Sequence, residues 1–375
     1  MSEGGDAYEP DRVAGTPHPR AAKVLYGQAE AEATILRAHA RDRLHHAWLI
    51  AGPRGVGKAT LAWRIARFLL AAPEPRSSAD TSPTTRGLEI PDDHPVAARV
   101  AALSEPRLFL MRPTRNPETG TERRDITVDV ARGLRDFLHL SASDGGRRVV
   151  IIDAADQLNA QAANAILKQI EEPPPRTVFL LVAHAPSQIL PTIRSRCRRL
   201  DCGPLAADDL ARAIAAAGLE PRIEPAALAQ LAGGSVGEAA RLLQEDGPAL
   251  YAEIAALAEV IPDIDRPRLL ALSTGLAGAA GRPRLDAVVR LLDLFLARLA
   301  RHGAGLPPEA EATPGEARIL ARLSQDPAAA RRWADLQIEI AQRLRHGRAV
   351  NLDPSALVLD TGLRINQTGR EILGG

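Results

Sequence analysis

Gly52-Pro53-Arg54-Gly55-Val56-Gly57-Lys58 stands between the short apolar run Ala47-Trp48-Leu49-Ile50-Ala51 and a stretch, Ala59 to Ala72, whose Leu61, Ile65, Phe68 and Leu69 recur at helical spacing. The run is bounded by glycine and too short for a helix, so it reads as a buried strand. A G-x-x-x-x-G-K loop carries meaning in this setting, after a strand and opening a helix. Its glycines let backbone N–H groups curl around a phosphate. The helix N-terminus adds favourable partial charge, and the lysine reaches the terminal phosphates. Gly52, Gly55, Gly57 and Lys58 are therefore candidate nucleotide-binding residues.

Working outward, Leu108-Phe109-Leu110-Met111, Val149-Val150-Ile151-Ile152 and Val178-Phe179-Leu180-Leu181-Val182 are further short apolar runs. Helical periodicity lies between them, at 127–140 and 157–172, and before the first strand at 28–43. Strands alternating with helices predict an α/β fold over residues 22–203, a parallel sheet flanked by helices. Residues 1–21 read as a flexible arm, and the Pro-, Ser- and Thr-rich stretch 73–95 as a solvated insertion.

After Pro204 the strands stop. Short helices are expected at 205–217 and 225–232, and Ser235-Val236-Gly237-Glu238 is a capping-box pattern opening another. Longer amphipathic stretches follow from Tyr251. Leu285, Val288, Val289, Leu292, Phe295 and Leu299 share one helix face, and Trp333, Leu336, Ile340 and Leu344 share another. The expected divisions are a small helical domain at 204–248, an all-α domain at 249–366 and a tail at 367–375.

Composition bounds the function. With 375 residues, 45% apolar and 25% charged, the chain is long enough for two or three domains and is not disordered as a whole. It starts with a polar, acidic segment and lacks a run of about 18 apolar residues, so neither signal peptide nor membrane anchor is expected. Two cysteines exclude a disulfide scaffold and a four-cysteine zinc site, which points to a soluble protein of a reducing compartment, the cytoplasm. Cys197 and Cys202 are expected as buried thiols. The net charge of +1 argues against indiscriminate binding to DNA.

The strand Val149–Ile152 ends in Asp153, which either holds magnesium through water or only terminates the strand. The hydroxyl that should follow the loop lysine and bind magnesium is missing, because that residue is Ala59. Thr60 cannot stand in, since one step along a helix turns a side chain by about 100°.

Several segments occur together in order: Leu44-His45-His46-Ala47-Trp48-Leu49-Ile50, the glycine loop, Val149–Asp153, Asn164-Ala165-Ile166-Leu167-Lys168-Gln169-Ile170-Glu171-Glu172-Pro173-Pro174, and Thr192-Ile193-Arg194-Ser195-Arg196-Cys197. Over residues 22–245 they resemble the delta-prime family of bacterial DNA polymerase III clamp-loader subunits, members of the AAA+ group. The resemblance implies an AAA+ P-loop sheet followed by a helical lid (204–248) and a collar (249–366). It also implies a stator that binds gamma/tau and delta subunits in a hetero-oligomer and meets primer-template DNA and the sliding clamp through that complex. The Ser195-Arg196-Cys197 motif implies an arginine finger, Arg196, acting in trans on a neighbour's ATP; taken alone, Arg196 would be one of a surface run with Arg194, Arg198 and Arg199.

Departures from the hydrolysing members point one way. Ala154 replaces a water-polarising Glu, Ala183 a phosphate-sensing Thr or Asn, and Gly237 the lid arginine, while 73–107 lacks the cysteines of a zinc module. No ATPase activity is expected of the isolated chain, ATP and magnesium are expected to bind weakly or not at all, and no zinc is expected. The alternative is an ATP-hydrolysing motor of gamma/tau type. Lys168 either meets a DNA phosphate or pairs with Glu172 one helical turn on.

Overall fold

The computed structural model describes residues 9–72, 87–116, 118–139 and 146–374. These fall into two units, one comprising Met1–Leu205 with Ser235–Gly237, the other Ala206–Gly234 with Glu238–Gly375.

The first unit holds α1 (Ala29–Ala40), β1 (Ala47–Ala51), α2 (Lys58–Ala71), α3 (Pro95–Ala101), β2 (Leu108–Met111), α4 (Val128–His139), β3 (Arg148–Asp153), α5 (Ala160–Glu171), β4 (Thr177–Ala183), α6 (Pro191–Arg194) and β5 (Arg198–Asp201). Among the described residues the five strands are all parallel, in the order β2-β3-β4-β1-β5. The expected α/β fold is present. Strands β1 and β4 are buried along their whole length, as an all-parallel sheet covered on both faces requires. Ala51 lies opposite Ala183 and Asp201, and Asp153 opposite Val182. The C-terminal ends of β1, β3, β4 and β5 therefore share one edge, where open α/β sheets bind their ligands.

Helix α5 opens on Asn159, whose side chain accepts a hydrogen bond from the Ala162 N–H at 2.8 Å. Its Ala162, Ala163, Ile166 and Ile170 join the core beneath β1, β3 and β4. Helix α2 is buried on nearly every side, Trp63 included. Even Arg64 is 4% exposed, and its Nε meets Glu32 at 2.6 Å.

The segment ahead of α1 explains that burial and corrects one expectation. From residue 9 onward the arm is not loose. His18 is buried with its ring edge-on to Trp63, and its Nε2 lies 2.9 Å from Asp11. Arg67 on α2 donates to the carbonyls of Arg20 and Ala22. Polar side chains to backbone carbonyls, rather than an apolar stripe, hold this segment down. Residues 1–8 of the expected arm, 73–86 of the expected insertion and the tail's Gly375 lie outside the described residues; α3 begins at Pro95, where the insertion was expected to end.

The second unit is helical: α7 (Ala207–Ala216), α8 (Pro225–Ala232), α9 (Val236–Gln244), α10 (Gly247–Glu259), α11 (Arg266–Ser273), α12 (Gly278–Gly303), α13 (Glu316–Leu323), α14 (Pro327–Ala349) and α15 (Pro354–Gly374), with the first residues of α9 counted in the first unit. It contains residues expected for the lid as well as those expected for the collar. Helices α12 and α14 pack along the two apolar stripes, with Phe295, Leu299 and Trp333 fully buried. In this core Glu316, fully buried, accepts from Arg298 Nε at 2.6 Å and Nη2 at 2.8 Å and from the Ala312 N–H at 2.7 Å, and Tyr251 also donates to it.

Candidate functional site

The glycine loop leaves β1 at the ligand-binding edge. Gly57, with φ of 98°, turns the chain into α2. Gly55 (φ 78°) is needed for space as well: a Cβ there would sit 2.2 Å from Ser235 Oγ. That hydroxyl donates to the Arg54 carbonyl at 2.9 Å, and the Gly237 N–H donates to the Gly55 carbonyl at 3.1 Å. Gln28 holds the other side, its Nε2 donating to the carbonyls of Val56 at 3.1 Å and Gly203 at 2.8 Å. Two chain segments, Gln28 and Ser235–Gly237, thus clamp one loop.

Lys58 is 3% exposed, and its ammonium donates to the Pro53 carbonyl in its own loop. Burial lowers its pKa to about 8, although Cys202, Asp153 and Asp156 favour the charged form. Asp153 closes β3 at the same edge. Burial first, then the neighbouring Asp11 carboxylate, raise its pKa to about 7, and its Oδ2 is buried with no hydrogen-bond partner among the described residues. Asp156 accepts the His184 N–H at 2.9 Å, and burial followed by the Lys58 charge lowers the His184 imidazole to about 4. Gly52, Gly55, Gly57, Lys58 and Asp153 therefore gather at one site. Ala154 and Ala183 are buried there without a polar side chain.

Ser195, Arg196 and Cys197 form a second place. The four-residue helix α6 starts on Pro191 and is followed by its cap Ser195, whose Oγ donates to the Thr192 carbonyl. Arg196 Nη1 donates to the same carbonyl at 2.9 Å, and its Nη2 lies 2.8 Å from Glu171 Oε1 at the end of α5. The pair borders an open cleft of about 390 Å³ lined also by His45, His46, Cys197 and Arg198. The two histidine rings stack with centroids 4.3 Å apart, and burial, then the charge of His45, lower the His46 pKa.

This cleft lies at the N-terminal end of β1, whereas the glycine loop leaves its C-terminal end. Five residues of strand separate them, about 16 Å at roughly 3.3 Å per residue. Arg196 and Lys58 therefore belong to different faces of the same domain.

The arginine run separates into four environments. Arg194 donates to the Pro186 carbonyl, Arg196 meets Glu171, Arg198 lies 5.2 Å above the Trp48 ring, and Arg199 meets Asp201 at 2.7 Å. Lys168 is exposed on α5, one helical turn ahead of Glu172. Cys202 is buried and Cys197 half-buried, and burial raises their thiols to about 11 and about 12. Among the described residues no group of His, Cys, Asp or Glu is placed to hold a metal ion, and no helix is long and apolar enough to cross a membrane.

Sequence reasoning missed the roles of Asp11, Ser235 and Glu171 here. Asp11 sat in a segment without periodicity, and Ser235 was read only as a cap. Glu171 lay inside a quoted motif, but its partner is 25 residues away.

A strand, a glycine loop carrying lysine and a second strand ending in aspartate define a P-loop α/β domain. Residues 27–206 match the family described as DNA polymerase III, delta subunit. DNA polymerase III subunit delta' of Pseudomonas aeruginosa is 36% identical over 198 residues, 52% of this chain and 55% of that protein. The Escherichia coli subunit of the same name is 32% identical over 165 residues, 44% of each chain. DNA polymerase III subunit gamma/tau of Mycobacterium tuberculosis is 30% identical over 176 residues, 46% of this chain and 27% of that one. Among solved structures, a DNA polymerase III gamma subunit-related protein from Thermotoga maritima aligns over 92% of this chain and 99% of its own, at 17% identity and a TM-score of 0.38. The chain spans about half the length of the curated delta' relatives it matches. The resemblance to delta-prime subunits drawn from the sequence is borne out over that span.

Proposed function

We propose that the chain is a stator subunit of a DNA polymerase III clamp loader, of delta-prime type, which does not hydrolyse ATP and donates Arg196 to a neighbouring gamma/tau subunit. Its role is to support ATP-dependent loading of a sliding clamp onto primed DNA, alongside gamma/tau and delta subunits.

One observation carries this reading: Arg196 and the glycine loop lie at opposite ends of β1. A guanidinium at that distance serves another molecule's phosphates, not those at Lys58. Its task would be to stabilise charge spreading over γ-phosphate oxygens, an effect worth roughly 10³–10⁵ in rate for such fingers.

The chain's own loop supports the other half. Lys58 is bonded to Pro53, the position after it is Ala59 without a hydroxyl, and Ala154 supplies no base next to Asp153. This donor set does not fit a tightly held magnesium nucleotide, so ATP would bind weakly or not at all. The same two alanines argue against a gamma/tau-type motor.

The test is reconstitution with gamma/tau and delta subunits, followed by ATP turnover and clamp loading. Arg196→Ala should leave assembly intact and lower both. The isolated chain should release no phosphate from magnesium-ATP. Unchanged turnover with Arg196→Ala overturns the finger, and robust magnesium-dependent hydrolysis by the isolated chain overturns the stator.

A further inference from the structure

We propose that Glu171 is the positioning residue of Arg196, holding its guanidinium in the orientation offered to the neighbouring subunit. This rests on the reading of Arg196 as a finger and adds to it a residue outside the Ser-Arg-Cys motif.

Glu171 is the last residue of α5 and is followed by a second glutamate. Negative charge at a helix C-terminus opposes the helix dipole, so helix stability gives no reason for a carboxylate there. Its partner lies elsewhere in the chain: Glu171 Oε1 is 2.8 Å from Arg196 Nη2. The Thr192 carbonyl accepts from Nη1 at 2.9 Å. Contacts from two different elements, α5 and α6, therefore narrow the orientations open to one guanidinium. Ser195 Oγ also lies 3.5 Å from Nη1, and of the five N–H donors of a guanidinium these three contacts leave two for a ligand.

The alternative role for Glu171 would be to withhold the arginine. The exposure of the pair decides between them. Both side chains are a little under two-fifths exposed, at 39% and 38%. An ion pair this wet holds geometry weakly and competes poorly with a polyphosphate of higher charge. It narrows the rotamers of a long, flexible side chain without locking the charge away, and the adjoining cleft of about 390 Å³ leaves room for an incoming group. His45, His46 and Arg198 line that cleft, and Glu171 is its acidic residue, so loss of Glu171 leaves Arg196 among neutral or like-charged side chains.

The experiment uses the reconstituted complex with the full-length chain carrying Glu171→Ala, Glu171→Gln or Glu171→Asp, with Arg196→Ala as reference. Glu171→Ala should lower kcat at the served site by about 10- to 100-fold, the scale of misplacing a catalytic group. KM for ATP and the assembled mass should not change. Glu171→Gln, which keeps an acceptor oxygen, should recover part of kcat. Glu171→Asp, one methylene short, should fall between Gln and Ala. Because Glu171 is exposed, these variants keep the core, and an unchanged thermal midpoint verifies it. If Arg196→Ala lowers turnover and Glu171→Ala leaves it unchanged or raises it, Glu171 does not position the finger, while the finger stands. If Arg196→Ala itself changes nothing, the finger and with it the role of Glu171 are overturned.

Discussion

Asp11 Oδ1 accepts a hydrogen bond from Arg112 at 2.8 Å, tying a segment ahead of the first helix to the residue that follows β2. The Asp11 side chain is almost wholly buried and also faces His18, so its carboxylate bridges two basic side chains beside Asp153. Burial alone would raise its pKa, but His18 and Arg112 outweigh it and hold the carboxyl below the usual range.

Asp11→Ala should therefore destabilise the first unit by about 1.5–3 kcal/mol, the usual cost of losing hydrogen bonds to a charged group. Urea denaturation followed in the first unit measures it. An unchanged midpoint would show that the segment is not held by this bridge.

Asp153 makes stability depend on pH in a defined direction. Its pKa is about 7 in the folded chain, against about 3.9 for an unfolded aspartate. Between those values the folded chain keeps a proton that the unfolded chain has released. Stability should fall as pH rises from about 4 to 7 and then level off. Asp153→Asn should remove that slope, gaining on the natural chain at pH 8 but little at pH 4. Parallel urea midpoints at the two pH values would contradict the assignment.

Lys58 acts with the opposite slope at higher pH. Its folded value of about 8 lies below the ordinary lysine value of about 10.4, so the unfolded chain keeps its proton longer. Stability should rise between about pH 8 and 10, and Lys58→Met should abolish that rise. A rise that persists in the variant would assign it to another group.

In the second unit, Glu316→Ala should be the more damaging kind of change. It leaves Arg298 buried without its bidentate partner and Tyr251 without its acceptor. The expected loss is about 3–5 kcal/mol, read from thermal unfolding. Glu316→Gln should cost less because it keeps one acceptor. Equal costs would show that shape rather than charge matters there.

The clamp on the glycine loop is open to a double substitution. Gly55→Ala places a methyl group against Ser235 Oγ at a positive φ. It should cost about 1–2 kcal/mol from the left-handed backbone alone, and more from the clash. Ser235→Ala in the same chain should cost less than the two changes summed, because the clashing oxygen is gone. Strict additivity would argue against the contact.

What the sequence made legible follows physical lines. Strands β1, β3 and β4 could be read because burial on both faces demands uninterrupted apolar runs. Strand β5 could not: Arg198-Arg199-Leu200-Asp201 buries only Leu200 and lies at a sheet edge, where charge is favoured. Helix α3 hid in a proline-rich stretch, although Pro95 at its first turn is a start signal. The residues of the glycine loop and Asp153 were identifiable because loop geometry dictates residue type. Asp11, Ser235 as a clamp and Glu171 were not, because each depends on a partner brought close only by the completed fold.

All three tryptophans of the chain are fully buried, Trp48 and Trp63 in the first unit and Trp333 in the second. Their indole fluorescence is therefore a built-in optical probe of each half. Replacing Trp48 and Trp63 with phenylalanine leaves Trp333 as a lone emitter for the second unit, so the melting of each half can be followed without attaching a dye.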